Sequence, residues 1–195
     1  MSGTARPVCR IIAGPNGAGK TTFALKYLPA IAPGSAYVNA DLIAAGLSPL
    51  APERELIAAS RLFRRQIEHH IEQGLDFAFE TTLAGRGYLR LVRRLRSTGW
   101  QVDLIYLALP NVELSRLRVA ERVAHGGHAI AAADIDRRFP RSLRNLLELY
   151  AGEVDETTCF LNSAAIPEVV FTQQGPRRTI LQQAVYDQLV QAAYR

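Results

Sequence analysis

The nonapeptide Gly14-Pro15-Asn16-Gly17-Ala18-Gly19-Lys20-Thr21-Thr22 constrains this chain more than any other stretch. It fits G-x-x-x-x-G-K-[ST], with Gly14, Gly19, Lys20 and Thr21 at the fixed positions of a phosphate-binding P-loop. Glycines let the backbone turn sharply and approach a phosphate chain with no Cβ in the way. The loop N–H groups then form a nest for anionic oxygens, and the helix that follows adds its positive N-terminal end. Residues 14–22 are therefore expected to bind a nucleoside triphosphate. Lys20 would reach the β- and γ-phosphates and Thr21 would hold Mg²⁺ through its hydroxyl. Lys20 and Lys26 are the only lysines in the chain. The glycines at 14, 17 and 19 do not fit the G-x-G-x-x-G spacing of a dinucleotide site.

The flanks agree with this reading. Residues 8–13 read as a short apolar strand entering the loop, and residues 22–28 as the start of a helix leaving it. Further strands are expected at 36–39, 76–79, 101–109, 158–161 and 168–172. Helices are expected at 56–71, about 89–95, 112–124, from 132 with a break or kink near Pro140, and 179–193. Such alternation predicts an α/β fold: a P-loop NTPase three-layer sandwich, mainly parallel, with helices on both faces of the sheet. At 195 residues, 48% apolar and 21% charged, one domain over 1–195 is expected. No apolar run reaches membrane-span length and the N-terminus has no signal-peptide core, so the expected location is the cytoplasm. Cys9 and Cys159 fall in apolar strands and are expected to be buried, reduced thiols.

The net charge of +5 is carried by arginines grouped at 86–96, 116–122, 137–144 and 177–178. Nucleic acid, phosphate-bearing small molecules and plain solvated helix faces all fit such groups. Arg90, Arg93, Arg94 and Arg96 alternate with Leu89, Leu91, Val92 and Leu95, which is the pattern of a helix surface. No aromatic residues interleave to make a single-strand groove, so nucleic acid is not the expected partner.

In open parallel sheets ligands gather at the carboxyl ends of strands. Two further strand ends therefore carry chemistry. Asp41 is either a general base for an attacking hydroxyl or the N-cap of the helix it precedes. Glu80, followed by the hydroxyls of Thr81 and Thr82, either orients a hydroxylated substrate or caps the strand. Arg86 joins that substrate-side set. Arg118 and Arg122 are four apart on one helix face, ahead of His125-Gly126-Gly127-His128 and Arg137-Arg138. They read as an arginine lid over about 112–140 that closes on the transferring phosphoryl group, or as an ordinary charged helix pair. No Asp-Glu strand end and no Leu-Ser-Gly-Gly-Gln signature accompany the loop, which favours a small kinase over a transporter engine.

Together, the P-loop, Val38-Asn39-Ala40-Asp41, Phe77-Ala78-Phe79-Glu80-Thr81-Thr82, Arg118 to Arg122, Gly126-Gly127-His128 and Arg137-Arg138-Phe139 resemble the zeta-toxin family of P-loop kinases, over about residues 8–163. The resemblance implies an adenylate-kinase-like core using ATP and Mg²⁺. It implies phosphorylation of the 3′-hydroxyl of the sugar in UDP-N-acetylglucosamine, and restraint by an antitoxin that blocks the ATP site. By this match Lys20 and Thr21 bind phosphate and Mg²⁺, Asp41 is the catalytic base, Glu80 contacts substrate and Arg122 is the first lid arginine. The second lid cation would be His128, Arg137 or Arg138. Leu161-Asn162-Ser163 resembles a family segment near the adenine pocket. The chain is shorter than the best-known toxins and lacks much of their nucleotide-sugar region, so the acceptor stays open. A polynucleotide-end kinase and a non-enzymatic ATP-gated binding module are the alternatives.

Overall fold

The apolar run before the glycine loop is strand β1 (Val8–Ala13), and it lies in the middle of a seven-stranded sheet. The computed structural model describes residues 6–127 and 129–194. After β1 come α1 (Lys20–Ile31), β2 (Ala36–Val38), α2 (Ala40–Leu47), a 3₁₀ turn (Pro52–Glu55), α3 (Leu56–Gln73), β3 (Phe77–Thr81), α4 (Leu89–Ser97) and β4 (Gln101–Ala108). Then follow α5 (Val112–Ala124), α6 (Ala132–Asn145), a π-helical stretch (Leu146–Tyr150), α7 (Ala151–Glu153), β5 (Glu156–Leu161), β6 (Glu168–Gln174), β7 (Arg177–Ile180) and α8 (Gln183–Ala193).

The strand order is β2-β3-β1-β4-β5-β6-β7. The first five strands are parallel and the last two antiparallel. Strands covered on both faces read as continuous apolar runs; Ile11, Ile12 and Ala13 of β1, Phe77, Ala78 and Phe79 of β3, and Tyr106, Leu107 and Ala108 of β4 are all fully buried. Ala13 pairs with Thr81 on one side and Tyr106 on the other, and Ala108 with Leu161. The carboxyl ends of these strands therefore share one edge of the sheet, where the chemistry was expected.

Val92 and Leu95 of α4 are buried, and Arg93 and Arg94 pair with Glu153 and Glu68 in the open. That arginine group is a helix surface, and such exposed pairs are worth little stability. Both cysteines are buried and free, their thiols pushed up by burial. No helix among the described residues is long and apolar enough to cross a membrane.

Two expectations need correction. The last helix starts at Gln183, not Thr179. Gly175-Pro176 makes a tight turn, and Arg177–Ile180 pairs back on Phe171–Gln174 as β7. Arg178 holds that hairpin by donating to Gln173 Oε1 at 2.7 Å and stacking over the Phe171 ring. In addition, α6 runs through Pro140 without a break. A proline removes only one helical hydrogen bond, and Phe139 and Leu143 on either side are buried. The departure from α-helical bonding comes later, at Leu146–Tyr150.

The glycine loop is seated against β4. A Cβ on Gly14 would stand 2.3 Å from the Leu107 carbonyl oxygen. Gly14→Ala should lower the unfolding free energy by at least about 2 kcal/mol, measured by urea titration. Gly46→Ala, inside α2 with open space around it, should be neutral or slightly stabilising.

Candidate active site

The P-loop is braced from two sides. Ser115 of α5, fully buried, donates to the Asn16 carbonyl at 2.6 Å. Asn162, just beyond β5, donates to the Ala18 carbonyl at 2.7 Å. Neither bond uses a loop N–H, although the Ala18 N–H itself donates to the Pro15 carbonyl at 3.2 Å within the loop. Gly17 and Gly19 have φ of 74° and 77°. A Cβ on either would meet its brace, at 2.8 Å from the Ser115 carbonyl and 2.9 Å from the Asn162 amide. The first turn of α1 has no side-chain cap, which leaves its N-terminal donors aimed at whatever occupies the loop.

Lys20 is buried and donates to the Pro15 carbonyl at 3.1 Å. Its pKa is lowered, first by burial; Glu80 and Asp41 oppose that shift and Arg122 adds to it. Each of these three groups thus acts electrostatically on Lys20. Glu80 lies at the end of β3 with Oε1 3.8 Å from the ammonium. Three donors converge on its other oxygen: Thr21 Oγ1 and Asn39 Nδ2, each at 2.8 Å, and the Tyr37 hydroxyl. A carboxylate reached by that many donors is fixed in place. Asn39 Nδ2 also reaches the Tyr37 hydroxyl at 3.0 Å. Glu80 is therefore held beside the P-loop by the side chains of Thr21, Tyr37 and Asn39.

The helix cap is Asn39, not Asp41: Asn39 Oδ1 accepts from Asp41 N at 2.8 Å and Leu42 N at 3.1 Å. Asp41 sits in the first turn of α2, and its exposed carboxylate has no hydrogen-bond partner among the described residues. Tyr37 and Asn39 were not expected in the site. The signal for them was spacing, since residues two apart on a strand share one face.

A cavity of about 500 Å³ opens beside the loop, lined by Gly17, Thr22, Tyr27, Arg118, Arg122 and Pro167 among others. Arg118 donates to the carbonyls of Asn162 at 2.7 Å and Ser163 at 3.2 Å, and so pins the cavity wall. Arg122 lines the cavity as well, whereas Arg137 and Arg138 do not. Arg137 and Arg138 both turn to Asp134 on their own helix, and His128 lies outside the described residues. Thr81 Oγ1 accepts from Leu83 N at 3.1 Å, and the Thr82 carbonyl accepts from Ser142 at 2.6 Å. Arg86 stands with Arg141 and Arg144 on one side and Arg90 and Arg93 on the other, away from the loop. A cavity of about 570 Å³ between α5, α6 and α8 contains none of the expected site residues.

The residues present fit a nucleoside triphosphate with Mg²⁺. A buried ammonium, an uncapped helix start and a cradle too tight for side chains all call for phosphate. Thr21 and Glu80 supply a hydroxyl and a carboxylate oxygen, the hard ligands Mg²⁺ takes together with substrate phosphates.

The sequence profile described as Zeta toxin matches residues 53–176, more than half of the chain. An uncharacterized protein of Haemophilus influenzae is 29% identical over 126 residues, 65% of this chain and 88% of that one. A chain of the AvrRxo1-ORF1:-ORF2 complex with ATP superposes with a TM-score of 0.73 at 18% identity, covering 94% of this chain. This chain spans 63% of that one. The PezAT chromosomal toxin-antitoxin system of Streptococcus pneumoniae matches with a TM-score of 0.63 at 14% identity, over 97% of this chain and 86% of that one. At these identities the structural likenesses establish the fold.

Because Asn39 is the cap, Asn39→Ala should cost about 1–2 kcal/mol in urea unfolding, and Asp41→Asn no more than about 0.5. Equal losses would return the cap to Asp41.

Proposed function

The chain belongs to the zeta-toxin family of P-loop kinases, and on that premise we propose that it transfers the γ-phosphate of ATP to a hydroxyl of a small metabolite, with UDP-N-acetylglucosamine as the leading acceptor. The observation that carries this reading is the pairing of two opposite situations at one sheet edge. Lys20, Thr21 and Glu80 are locked together at the phosphate loop, while the carboxylate of Asp41, exposed and in electrostatic reach of Lys20, has no hydrogen-bond partner among the described residues. A locked set suits holding a phosphate chain; an unengaged carboxylate suits taking a proton.

In this mechanism the loop N–H groups and Lys20 hold the β- and γ-phosphates. Thr21 and Glu80 would hold Mg²⁺, which would offset the charge of those phosphates when bound. Asp41 accepts the proton of the acceptor hydroxyl. Lys20 and Arg122 stabilise the charge that develops on the phosphoryl group in flight, the main service a protein gives such a transfer. Residues 112–140 act as the lid of a single kinase domain. The second lid cation is His128, or Arg137 or Arg138 released from Asp134. Thr81, Thr82 and Arg86 line the acceptor side. The toxin-antitoxin character of the PezAT system supports a restraining protein partner for this chain as well.

Labelled-ATP transfer against nucleotide sugars, nucleosides and nucleic-acid ends tests the reading. Label moving to a nucleic-acid end alone would replace the metabolite, and ATP binding with no transfer to any acceptor would leave only a binding module. Asp41→Asn should lower transfer by about 10²–10⁴-fold while the ATP Kd stays within about threefold; retained turnover removes Asp41 from the base role. Lys20→Ala should weaken both ATP binding and transfer, read by calorimetry and the same label assay.

A further inference from the structure

Directly behind Glu80 the backbone takes a conformation its sequence does not favour. Leu83 has φ of 58°, the one positive value at a non-glycine residue among those described. That region costs a side-chain-bearing residue roughly 1–2 kcal/mol and persists only where the surroundings impose it. Leu83 is buried, so its side chain cannot move out to relieve the strain.

What imposes it is a row of donors on the helix opposite. Ser142 Oγ donates to the Thr82 carbonyl at 2.6 Å, Asn145 Nδ2 to the Leu83 carbonyl at 2.8 Å, and the Tyr150 hydroxyl to the Gly85 carbonyl at 3.0 Å. The three come from the end of α6 and the π-helical stretch that continues it. A π-helical segment widens the turn and is frequent at functional sites; here it carries the third donor. With its own proton committed to Thr82, Ser142 accepts from the Tyr106 hydroxyl of β4 at 2.7 Å. Ser142 and Tyr106 are fully buried and Asn145 nearly so, and a buried polar group without its partner is costly.

The same helix also reaches the nucleotide side. Asp136 of α6 pairs with Arg116 of α5 at 2.7 Å. Two residues further along α5, Arg118 lines the cavity beside the P-loop, with Arg122 one turn beyond it. Helices α5 and α6 pack on each other, so the helix that lines that cavity rests on the helix that holds segment 82–85.

We propose that Ser142, Asn145 and Tyr150 are positioning residues that hold segment 82–85 in its strained form and couple its order to nucleotide bound against α5. The kinase reading supplies only the identification of this segment as the acceptor side; the coupling itself is tested without an acceptor.

The test is hydrogen exchange of amides 82–88 in the full chain, with and without Mg²⁺ and the non-hydrolysable analogue AMP-PNP. In the wild type the analogue should slow exchange there by roughly threefold or more. In Asn145→Ala, exchange without nucleotide should speed up by roughly tenfold, the loss of one buried hydrogen bond, and the slowing by analogue should vanish. The analogue's Kd, read by calorimetry, should stay within about threefold. Tyr150→Phe deletes one oxygen and keeps the buried ring, so it gives the same readout at smaller amplitude if Asn145→Ala does not fold. Analogue that binds while exchange at 82–88 stays unchanged in the wild type overturns the coupling, as does slowing that persists in both variants. If the analogue does not bind, the kinase reading falls, and unchanged basal exchange in the variants would overturn the positioning role independently.

Discussion

The site depends on one burial: the ammonium of Lys20, nearly out of solvent at the end of the glycine loop. An isolated buried cation is costly, and a protein tolerates one only beside a partner or a ligand. Here the partner is Glu80, and it is held at arm's length, 3.8 Å away, by three donors on its far oxygen. The lysine is thereby stabilised without being neutralised by close contact, and its pKa is lowered by the burial. A phosphate chain entering the loop meets a cation, loop N–H groups and an uncapped helix start together.

The surroundings maintain that arrangement. The parallel register of β2, β3, β1, β4 and β5 brings Asn39, Glu80, the loop and Asn162 to one edge. Ser115 and Asn162 hold the loop by its carbonyls, and Arg118 fixes Asn162 in turn. Electrostatic preorganisation of this kind is what phosphoryl transfer asks of a protein, because the chemistry itself needs little covalent help.

Arginine is used in three distinct ways, which explains why the basic composition was ambiguous. Arg93 and Arg94 make exposed surface pairs. Arg118 and Arg178 are structural clamps on backbone carbonyls and aromatic rings. Arg137 and Arg138 are satisfied by Asp134 on their own helix turn. Spacing along a helix shows which arginines share a face; it does not show what that face meets.

Residues 14–22 were enough to determine the loop and the roles open to Lys20 and Thr21, and alternating apolar runs along the rest of the chain determined the α/β class. These were legible because phosphate chemistry and helix or strand periodicity are local: they need fixed residue types at fixed short spacings. Tertiary structure decided the rest. It made Asn39 rather than Asp41 the cap, brought Tyr37 and Asn39 onto Glu80, turned Arg177–Ile180 into a strand and held Leu83 at positive φ. The Asn39 cap is local, made to the amides two and three residues on; the others depend on a partner elsewhere in the chain: Glu80 for Tyr37, Phe171 for Ile180, Asn145 for Leu83. A hydrogen bond across that separation has no signature in either segment alone. It exists only once the sheet order has set the two side by side.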